Sequence, residues 1–159
     1  MCVISLFSEF RPTKMLGGLL STNLPFAPNA WKLWVDHIMK RKKDYNFKKA
    51  SLIYDSGATA YSSMGFIVHP AEILRLKMQF ERLQDFPEKP IETVVIRDKT
   101  YMVKSADGEQ IVAWNGSKYF IICRSASMFI VVLCESRSKV DSAAHWLRKV
   151  NTHLKNKNF

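Results

Sequence analysis

Residues 110–134 read QIVAWNGSKYFIICRSASMFIVVLC. Three short runs in this stretch, 110–114, 118–123 and 128–134, are rich in β-branched and aromatic residues, which favour strands. Asn115-Gly116 separates the first two runs with the residue pair preferred in two-residue hairpin turns. Because loops this short can only join antiparallel neighbours, the stretch predicts three consecutive antiparallel strands.

Further runs rich in β-branched and aromatic residues occur towards the N-terminus. Asp107-Gly108 marks another hairpin turn, and Asp55-Ser56-Gly57 joins an earlier pair of strands. The sequence therefore predicts a larger antiparallel sheet, whose further strands cover residues 52–54, 58–63, 92–97 and 100–105.

Three helices are predicted around these strands. The first begins at Asn29, a good N-cap, and carries apolar residues at helical spacing up to the basic run 40–43. The second starts at His69-Pro70-Ala71-Glu72 and continues until Pro87, and the third covers 139–155 with one apolar stripe. An antiparallel sheet with terminal helices packed on it is an α+β architecture.

The chain divides into two parts. Residues 1–28 contain scattered Gly, Pro, Ser and Asn without any period, which predicts a flexible N-terminal extension. Residues 29–159 are long enough for one domain with its own core. No run reaches the length that a membrane helix needs, and the N-terminus lacks the basic start of a secretory signal.

Charge and cysteine content narrow the class of protein. The formal net charge of +10 is typical of proteins that bind a polyanionic or acidic partner. It is equally typical of a well-solvated surface. The three cysteines form no C-x-x-C pair, and Cys123 and Cys134 lie in apolar runs, so we expect buried, reduced thiols in a cytoplasmic protein.

Catalytic and metal-binding motifs are not found in the sequence. The glycines form no phosphate-binding loop, and the four histidines have no H-E-x-x-H spacing or cysteine cluster beside them. We therefore expect no enzymatic activity, no cofactor and no metal. A basic RNA-binding α+β domain stays open as an alternative, since aromatic residues interleave the strands, although KYFIICRS lacks the glycine of an RNA-binding sheet motif.

Five segments, taken in order, resemble the profilin family. They are the helix WKLWVDHIM at 31–39, the strand ATAYSS at 58–63, the helix entry FIVHPAEI at 66–73, KTYMV at 99–103 and THL at 152–154. The resemblance covers residues 29–159. It implies that the N- and C-terminal helices lie side by side on one sheet face, with a further helix after the second strand.

The resemblance also implies a groove for proline-rich segments between the terminal helices. Tyr61 stands where many relatives have tryptophan, and Phe159 replaces a common tyrosine, so we expect weaker or altered proline selectivity. Aromatic faces suit a polyproline helix, which is prefolded and therefore docks at low entropic cost. The positions that match the family's groove are Trp31, Trp34, Tyr61, His153, Leu154 and Phe159.

A second implied partner is the actin monomer, and a third is an anionic phosphoinositide lipid. The implied function is regulation of actin polymerisation by a monomeric cytoplasmic protein associated with the cytoskeleton, without nucleic acid binding. A profilin-shaped scaffold that has lost actin is the remaining alternative. The positions matched to actin binding are Lys104, Arg124, Lys139, His145 and Lys149, and those for the phosphoinositide are Lys40, Arg41, Lys42 and Lys43.

Overall fold

The computed structural model of the protein describes residues 28–159. The predicted flexible extension at 1–28 therefore lies outside the described residues, apart from Pro28. The described part contains four helices and seven strands, in this order: α1 Pro28–Met39, α2 Lys42–Tyr45, β1 Phe47–Tyr54, β2 Thr59–Ser62, α3 Pro70–Asp85, β3 Thr93–Ile96, β4 Lys99–Ala106, β5 Gln110–Asn115, β6 Lys118–Arg124, β7 Met128–Cys134 and α4 Val140–Asn156.

One antiparallel sheet contains all seven strands, in the order β2-β1-β7-β6-β5-β4-β3. Strands β3 to β7 are each paired with their neighbour in sequence, as the short loops predict. The long-range step is the pairing of β1 with β7, which continues from Phe47 opposite Cys134 to Tyr54 opposite Met128. This pairing places the N-terminal hairpin beside the meander and completes the sheet.

Both faces of the sheet are covered by helices. Along β7, Met128, Ile130 and Val132 belong to the core shared with α1 and α4. Phe129, Val131 and Leu133 point to the opposite face and join the core under α3. This strict alternation gives three layers, with the terminal helices on one side and α3 on the other. The predicted α+β class and helix placement are confirmed.

The structure differs from the sequence prediction at the end of the first helix. The helix ends at Met39, and the basic run continues into the separate short helix α2. Asn46 follows α2 in the left-handed region with φ of 56°, and its side-chain amide donates to the carbonyl of Glu135 at 2.7 Å. Asparagine tolerates this conformation better than most residues, so it turns the chain sharply into β1.

A buried carboxylate fixes the start of α3 against the β3–β4 turn. Glu72 is 4% exposed and accepts hydrogen bonds from the backbone N–H groups of Arg97 and Asp98, both at 2.9 Å. Arg97 and Asp98 both have positive φ, as the two central residues of a type I′ hairpin turn do. Because neither is glycine, this conformation is unfavourable by itself, and the hydrogen bonds to Glu72 stabilise it. Glu72 also reaches the N–H of His69, which caps α3.

Between residues 28 and 159, no helix is long and apolar enough to cross a membrane. The same part of the chain holds no group of three or more His, Cys, Asp or Glu side chains placed to bind a metal ion.

Candidate functional site

Helices α1 and α4 meet along a seam of aromatic rings, which we call the aromatic seam. Trp31 contacts Phe159 edge-on at 4.9 Å between ring centroids. One turn later Trp34 lies 5.8 Å from His153, and after another turn His37 lies 5.8 Å from Trp146. Successive turns of α1 thus meet progressively earlier residues of α4, so the two helices are antiparallel.

The six positions expected to bind proline-rich segments lie on this side of the sheet. Trp31, Trp34 and Leu154 are buried in its core, and Tyr61 and Phe159 pack against that core while partly exposed. His153 is half-buried. Strand β2, which carries Tyr61, packs directly against α1. The structure therefore brings the predicted residues together near the start of α1. It also buries Trp31 and Trp34 more completely than a surface that docks a ligand requires.

Sequence reasoning missed a further ring beside Trp31. Tyr54, the last residue of β1, lies edge-on to Trp31 at 6.2 Å and is half-buried. It sits beside Trp31 because β1 and α1 pack face to face, so the pairing depends on tertiary packing. A tyrosine at the end of a strand carries no such signal by itself.

Backbone hydrogen bonds hold Phe159 against Trp31. The N–H of Ala126, in the β6–β7 turn, donates to the carbonyl of Phe159 at 2.8 Å. The N–H of Phe159 in turn donates to the carbonyl of Leu154. The ring is therefore positioned by the sheet as well as by α4, which fixes its place in the aromatic seam.

His37, at the middle of the aromatic seam, is a buried imidazole. Its exposed fraction is 3%, and burial lowers the pKa of His37 to about 4, with the positive charges of Arg41 and Lys40 acting in the same direction. His37 is consequently neutral near pH 7. It extends the aromatic packing between α1 and α4 without adding a charge to the core.

A second candidate surface lies where the outer strands approach the start of α4. Lys104, on β4, forms an ion pair with Asp141 in the first turn of α4 at 2.8 Å. Asp141 lines a cleft with His145 and Lys149. Three of the five residues expected to bind actin, Lys104, His145 and Lys149, are thereby joined on one surface, which we call the outer surface.

Two exposed apolar side chains on the outer surface were not predicted. Trp114 on β5 is 41% exposed, and Met102, directly opposite on β4, is 53% exposed. Trp114 and Lys104 border a cleft of about 520 Å³, whose other walls include Tyr119 and Arg137. Large apolar side chains exposed side by side mark interaction surfaces. The sequence does hold a signal for this surface: Trp114 lies directly before the Asn115-Gly116 turn, at the end of a strand, where a side chain does not need to enter the core.

Arg124 does not join the other predicted actin-binding residues. It follows Cys123 at the end of β6, so its side chain points to the α3 face, where its guanidinium donates to the carbonyl of Lys77 at 3.4 Å and lies 3.8 Å from Glu81. The guanidinium also lies over the ring of Phe129. In the structure Arg124 attaches α3 to the sheet.

The four basic residues 40–43, near the end of α1, do not all face the same surface. Lys42 and Lys43 line a cleft of about 590 Å³ together with Lys48 and Lys139, which we call the basic cleft. Arg41 instead pairs with Asp44 at 3.3 Å and lies over the Trp146 ring at 5.5 Å. Lys40 is exposed and does not line the cleft. Lys139, predicted to contact actin, directly precedes α4 and lines the basic cleft.

The chain matches the family model for profilin over residues 29–159. It belongs to the profilin family. That family consists of non-enzymatic actin-binding proteins, so the expectation that the chain is not an enzyme is confirmed. Among curated protein sequences, none matches the chain significantly.

Solved profilin structures share the fold. Profilin IA of Acanthamoeba castellanii is 21% identical, with a TM-score of 0.67 over 81% of this chain and 99% of that one. LokiProfilin1, solved in complex with rabbit actin, is 12% identical, with a TM-score of 0.66 over 80% and 96%. Mouse profilin IIa, solved with a double repeat from the FH1 domain of mDia1, is 14% identical, with a TM-score of 0.60 over 81% and 99%.

The two cysteines of the described residues, Cys123 and Cys134, are packing residues, as the sequence predicts. Cys123 and Cys134 are fully buried and form no disulfide. Burial raises the pKa of Cys123 to about 12 and also raises the pKa of Cys134. A thiol held in its protonated form is a poor nucleophile, so neither side chain is suited to covalent chemistry.

Proposed function

We propose that this chain binds an actin monomer through the outer surface and a proline-rich segment at the aromatic seam, and so regulates actin polymerisation in the cytoplasm. Membership of the profilin family supports the general role. The observation that carries the actin part is the exposed pair Met102 and Trp114; Lys104, Arg137 and Glu135 line the cleft at Trp114. An apolar centre with a mainly basic rim suits a partner surface that is apolar in the middle and acidic around it.

The proposed actin surface combines predicted and newly found residues. Lys104 and Lys149 supply the cationic rim with His145 beside them, and Trp114 supplies the large side chain that dominates many interfaces. Lys139 lines the basic cleft. Arg124 is excluded from this surface, because its side chain is engaged with α3 on the opposite sheet face. Two bound partners linked by one small protein raise each other's local concentration, so regulation proceeds by mass action and without bond chemistry.

Actin binding is tested by titrating monomeric actin with the full chain and with Trp114→Ser. We expect Trp114→Ser to weaken binding by about 2 kcal/mol, roughly thirtyfold, as loss of an interface anchor does. The matched control is Met64→Ser, because Met64 is 90% exposed on the loop between β2 and α3. Equal affinities of Trp114→Ser and the native chain would contradict this surface, and absence of binding by the native chain would favour the scaffold alternative.

Proline binding is tested by following tryptophan fluorescence during titration with a ten-residue proline peptide, at low and moderate salt. We expect a saturable change that salt does not remove, since ring–proline docking involves few charges. Tyr61→Ser should abolish the change while leaving the fold intact, because Tyr61 is only partly buried. Trp114→Ser is the control that should retain binding, and a salt-sensitive or unsaturable signal would reject the groove.

A phosphoinositide site at the basic cleft is a second candidate function. Four lysines, Lys42, Lys43, Lys48 and Lys139, border this cleft, and each basic residue near an anionic membrane contributes about 1 kcal/mol. Vesicles containing a phosphoinositide should therefore bind the native chain more strongly than Lys42→Ala/Lys43→Ala. Arg75→Ala/Arg82→Ala is the control, since both side chains are exposed on α3, on the opposite face of the sheet, and equal binding by all three proteins would reject the site.

The RNA-binding alternative receives no support from the sheet. Phe120 and Phe129, which alternate along the central strands, are at most 2% exposed under α3. A sheet that stacks bases must expose its aromatic rings. We therefore propose that nucleic acid is not a partner, and a loss of affinity with salt following phosphate counter-ion release would contradict this.

A further inference from the structure

The loop between β2 and α3 carries two apolar side chains that neither the actin surface nor the aromatic seam uses. Met64 is 90% exposed and Ile67 is 63% exposed, so both project from the surface into water. Phe66 and Val68 on the same loop are instead buried in the core under α3. Large apolar side chains that are left exposed close together mark an interaction surface.

Hydrogen bonds and a buried ring hold this loop in place. The hydroxyl of Ser63 accepts from the N–H of Ala50 at 2.8 Å and donates to the carbonyl of the same residue at 2.9 Å. Phe66 is fully buried and stacks on Phe120, with 6.0 Å between the ring centroids. Because the loop is already ordered, a partner can bind Met64 without a large loss of conformational entropy.

Two cations lie against the backbone of the loop. The ammonium of Lys49 donates to the carbonyl of Met64 at 2.6 Å, which places a positive charge at the base of the Met64 side chain. The guanidinium of Arg97 donates to the carbonyl of Gly65 at 3.5 Å. Lys48, the neighbour of Lys49 at the start of β1, lines the basic cleft. The loop and the basic cleft therefore lie at the same end of β1.

An apolar loop with cations at its base matches the surface of an anionic membrane. Residues 46–54 and 63–68 contain no acidic side chain that would repel phosphate headgroups. Headgroups attract lysine and arginine, while apolar side chains enter the boundary between the headgroups and the acyl chains. A bilayer adapts to a protruding side chain, whereas a protein partner would need a pocket of matching shape.

We propose that the β2–α3 loop inserts Met64 and Ile67 into an anionic membrane while the basic cleft holds the lipid headgroups. This inference rests on the proposed phosphoinositide function, because the cleft supplies the electrostatic part of the binding. The loop supplies the apolar part, which makes binding depend on a bilayer and not on the headgroup alone. Two weak signals combine in this way wherever one of them is too weak for stable attachment.

The test measures binding to vesicles that contain a phosphoinositide, using the native chain, Met64→Ser/Ile67→Ser and Met78→Ser/Phe86→Ser. The last variant is the matched control, because Met78 and Phe86 are 68% and 49% exposed, on α3 and directly after it, and belong to no proposed site. We expect the loop variant to bind vesicles about tenfold more weakly, since two apolar side chains no longer leave water. The control variant should bind like the native chain.

Two further measurements separate the bilayer from its headgroup. The loop variant should bind soluble inositol trisphosphate with the native affinity, because Met64 and Ile67 act only through the bilayer. It should also keep the native affinity for monomeric actin, which shows that the variant is folded. Lipids with brominated acyl chains should quench the fluorescence of Met64→Trp more than that of Met78→Trp, because only the first side chain enters the membrane.

The remaining outcomes decide against the inference. If the loop variant binds vesicles like the native chain while Lys42→Ala/Lys43→Ala binds them more weakly, insertion is overturned and the basic cleft stands. Insertion is also overturned if the loop variant and the control variant lose affinity equally, or if the loop variant binds the soluble headgroup as weakly as it binds vesicles. If the native chain binds neither vesicles nor headgroup, the phosphoinositide function itself fails, and insertion fails with it.

Discussion

The aromatic seam and the outer surface use large side chains in opposite ways. At the seam, Trp31, Trp34 and Trp146 are all buried between the terminal helices and the sheet. On the outer surface, Trp114 and Met102 stand exposed on neighbouring strands. A candidate binding residue at the seam is thus also a core residue, whereas on the outer surface it is not. Binding and stability are coupled in the first region and separable in the second.

The difference follows from what covers each part of the sheet. Strands β1, β7 and β6 lie under α1 and α4, so their inward side chains are sealed from water. Trp114 on β5 and Met102 on β4 belong to neither buried core and stay exposed. The contrast predicts that substitutions will separate the two regions by their effect on the free energy of unfolding.

The largest expected effect is on stability at the seam. Trp31→Ala removes a fully buried ring, so we expect the free energy of unfolding to fall by about 3–5 kcal/mol. Trp114→Ala, its matched control on the outer surface, should lower it by less than about 1 kcal/mol, as exposed substitutions usually do. Urea denaturation measures both, and similar losses in the two variants would break the comparison.

The next effect concerns pH and the buried imidazole of the seam. The pKa of His37 lies below its unfolded value near 6.5, at about 4, so the neutral form is favoured in the folded state. Its contribution is therefore fully present above about pH 6.5 and is lost as pH falls towards 4, with a magnitude on the order of 3 kcal/mol. Urea denaturation at several pH values measures this slope.

His37→Gln is the control for that measurement. Glutamine does not titrate, so this variant should be less stable at pH 7 but should lose less further stability between pH 6.5 and 4. An unchanged pH slope in His37→Gln would show that another group produces the acid sensitivity.

On the outer surface we expect a smaller change, confined to binding. Lys104→Glu reverses one charge of the proposed rim, so its association rate with actin should fall by about tenfold at low salt and by less at higher salt. The Lys104–Asp141 pair is exposed, so its loss should cost at most about 1 kcal/mol of stability. Arg82→Glu, in α3 on the opposite face of the sheet, is the control of equal charge change, and an equal fall in both variants would indicate general steering instead of this rim.

The smallest effect is expected within the groove itself. Tyr61→Trp enlarges the ring surface available to proline, and Phe159→Tyr adds a hydroxyl that can donate to a ligand carbonyl. Each should raise the affinity for a ten-residue proline peptide by a few-fold, or roughly 1 kcal/mol or less. Titration of the three proteins measures this, and indistinguishable affinities would contradict the expected selectivity.

Much of the fold could be predicted from the sequence, because it depends on the local pattern of apolar and turn residues. The strand 128–134 has the same bounds in the sequence prediction and in the structure, since it is a continuous apolar run between turn residues. In contrast, β1 begins at Phe47, five residues before the predicted strand, because its pairing with β7 extends it through Lys48 and Lys49. Polar residues are drawn into a strand by a partner that is distant in sequence.

The candidate sites were readable in part for the same reason. Family motifs identified the seam residues, and the structure gathers them between α1 and α4. Whether a helix covers a given part of the sheet depends on packing between elements that are distant in sequence. The exposure of Trp114 and the ring contact of Tyr54 with Trp31 depend on this packing, whereas the turning of Arg124 towards α3 follows from the alternation of side chains along β6.

The sequence by itself therefore determined the order of the elements, the antiparallel meander and the family, because hairpin turns and apolar periods are local properties of the chain. Only the tertiary structure decided which side of the sheet each charged and aromatic side chain occupies relative to the helices. It did so through the β1–β7 pairing and the antiparallel packing of α1 on α4, which join residues about a hundred positions apart.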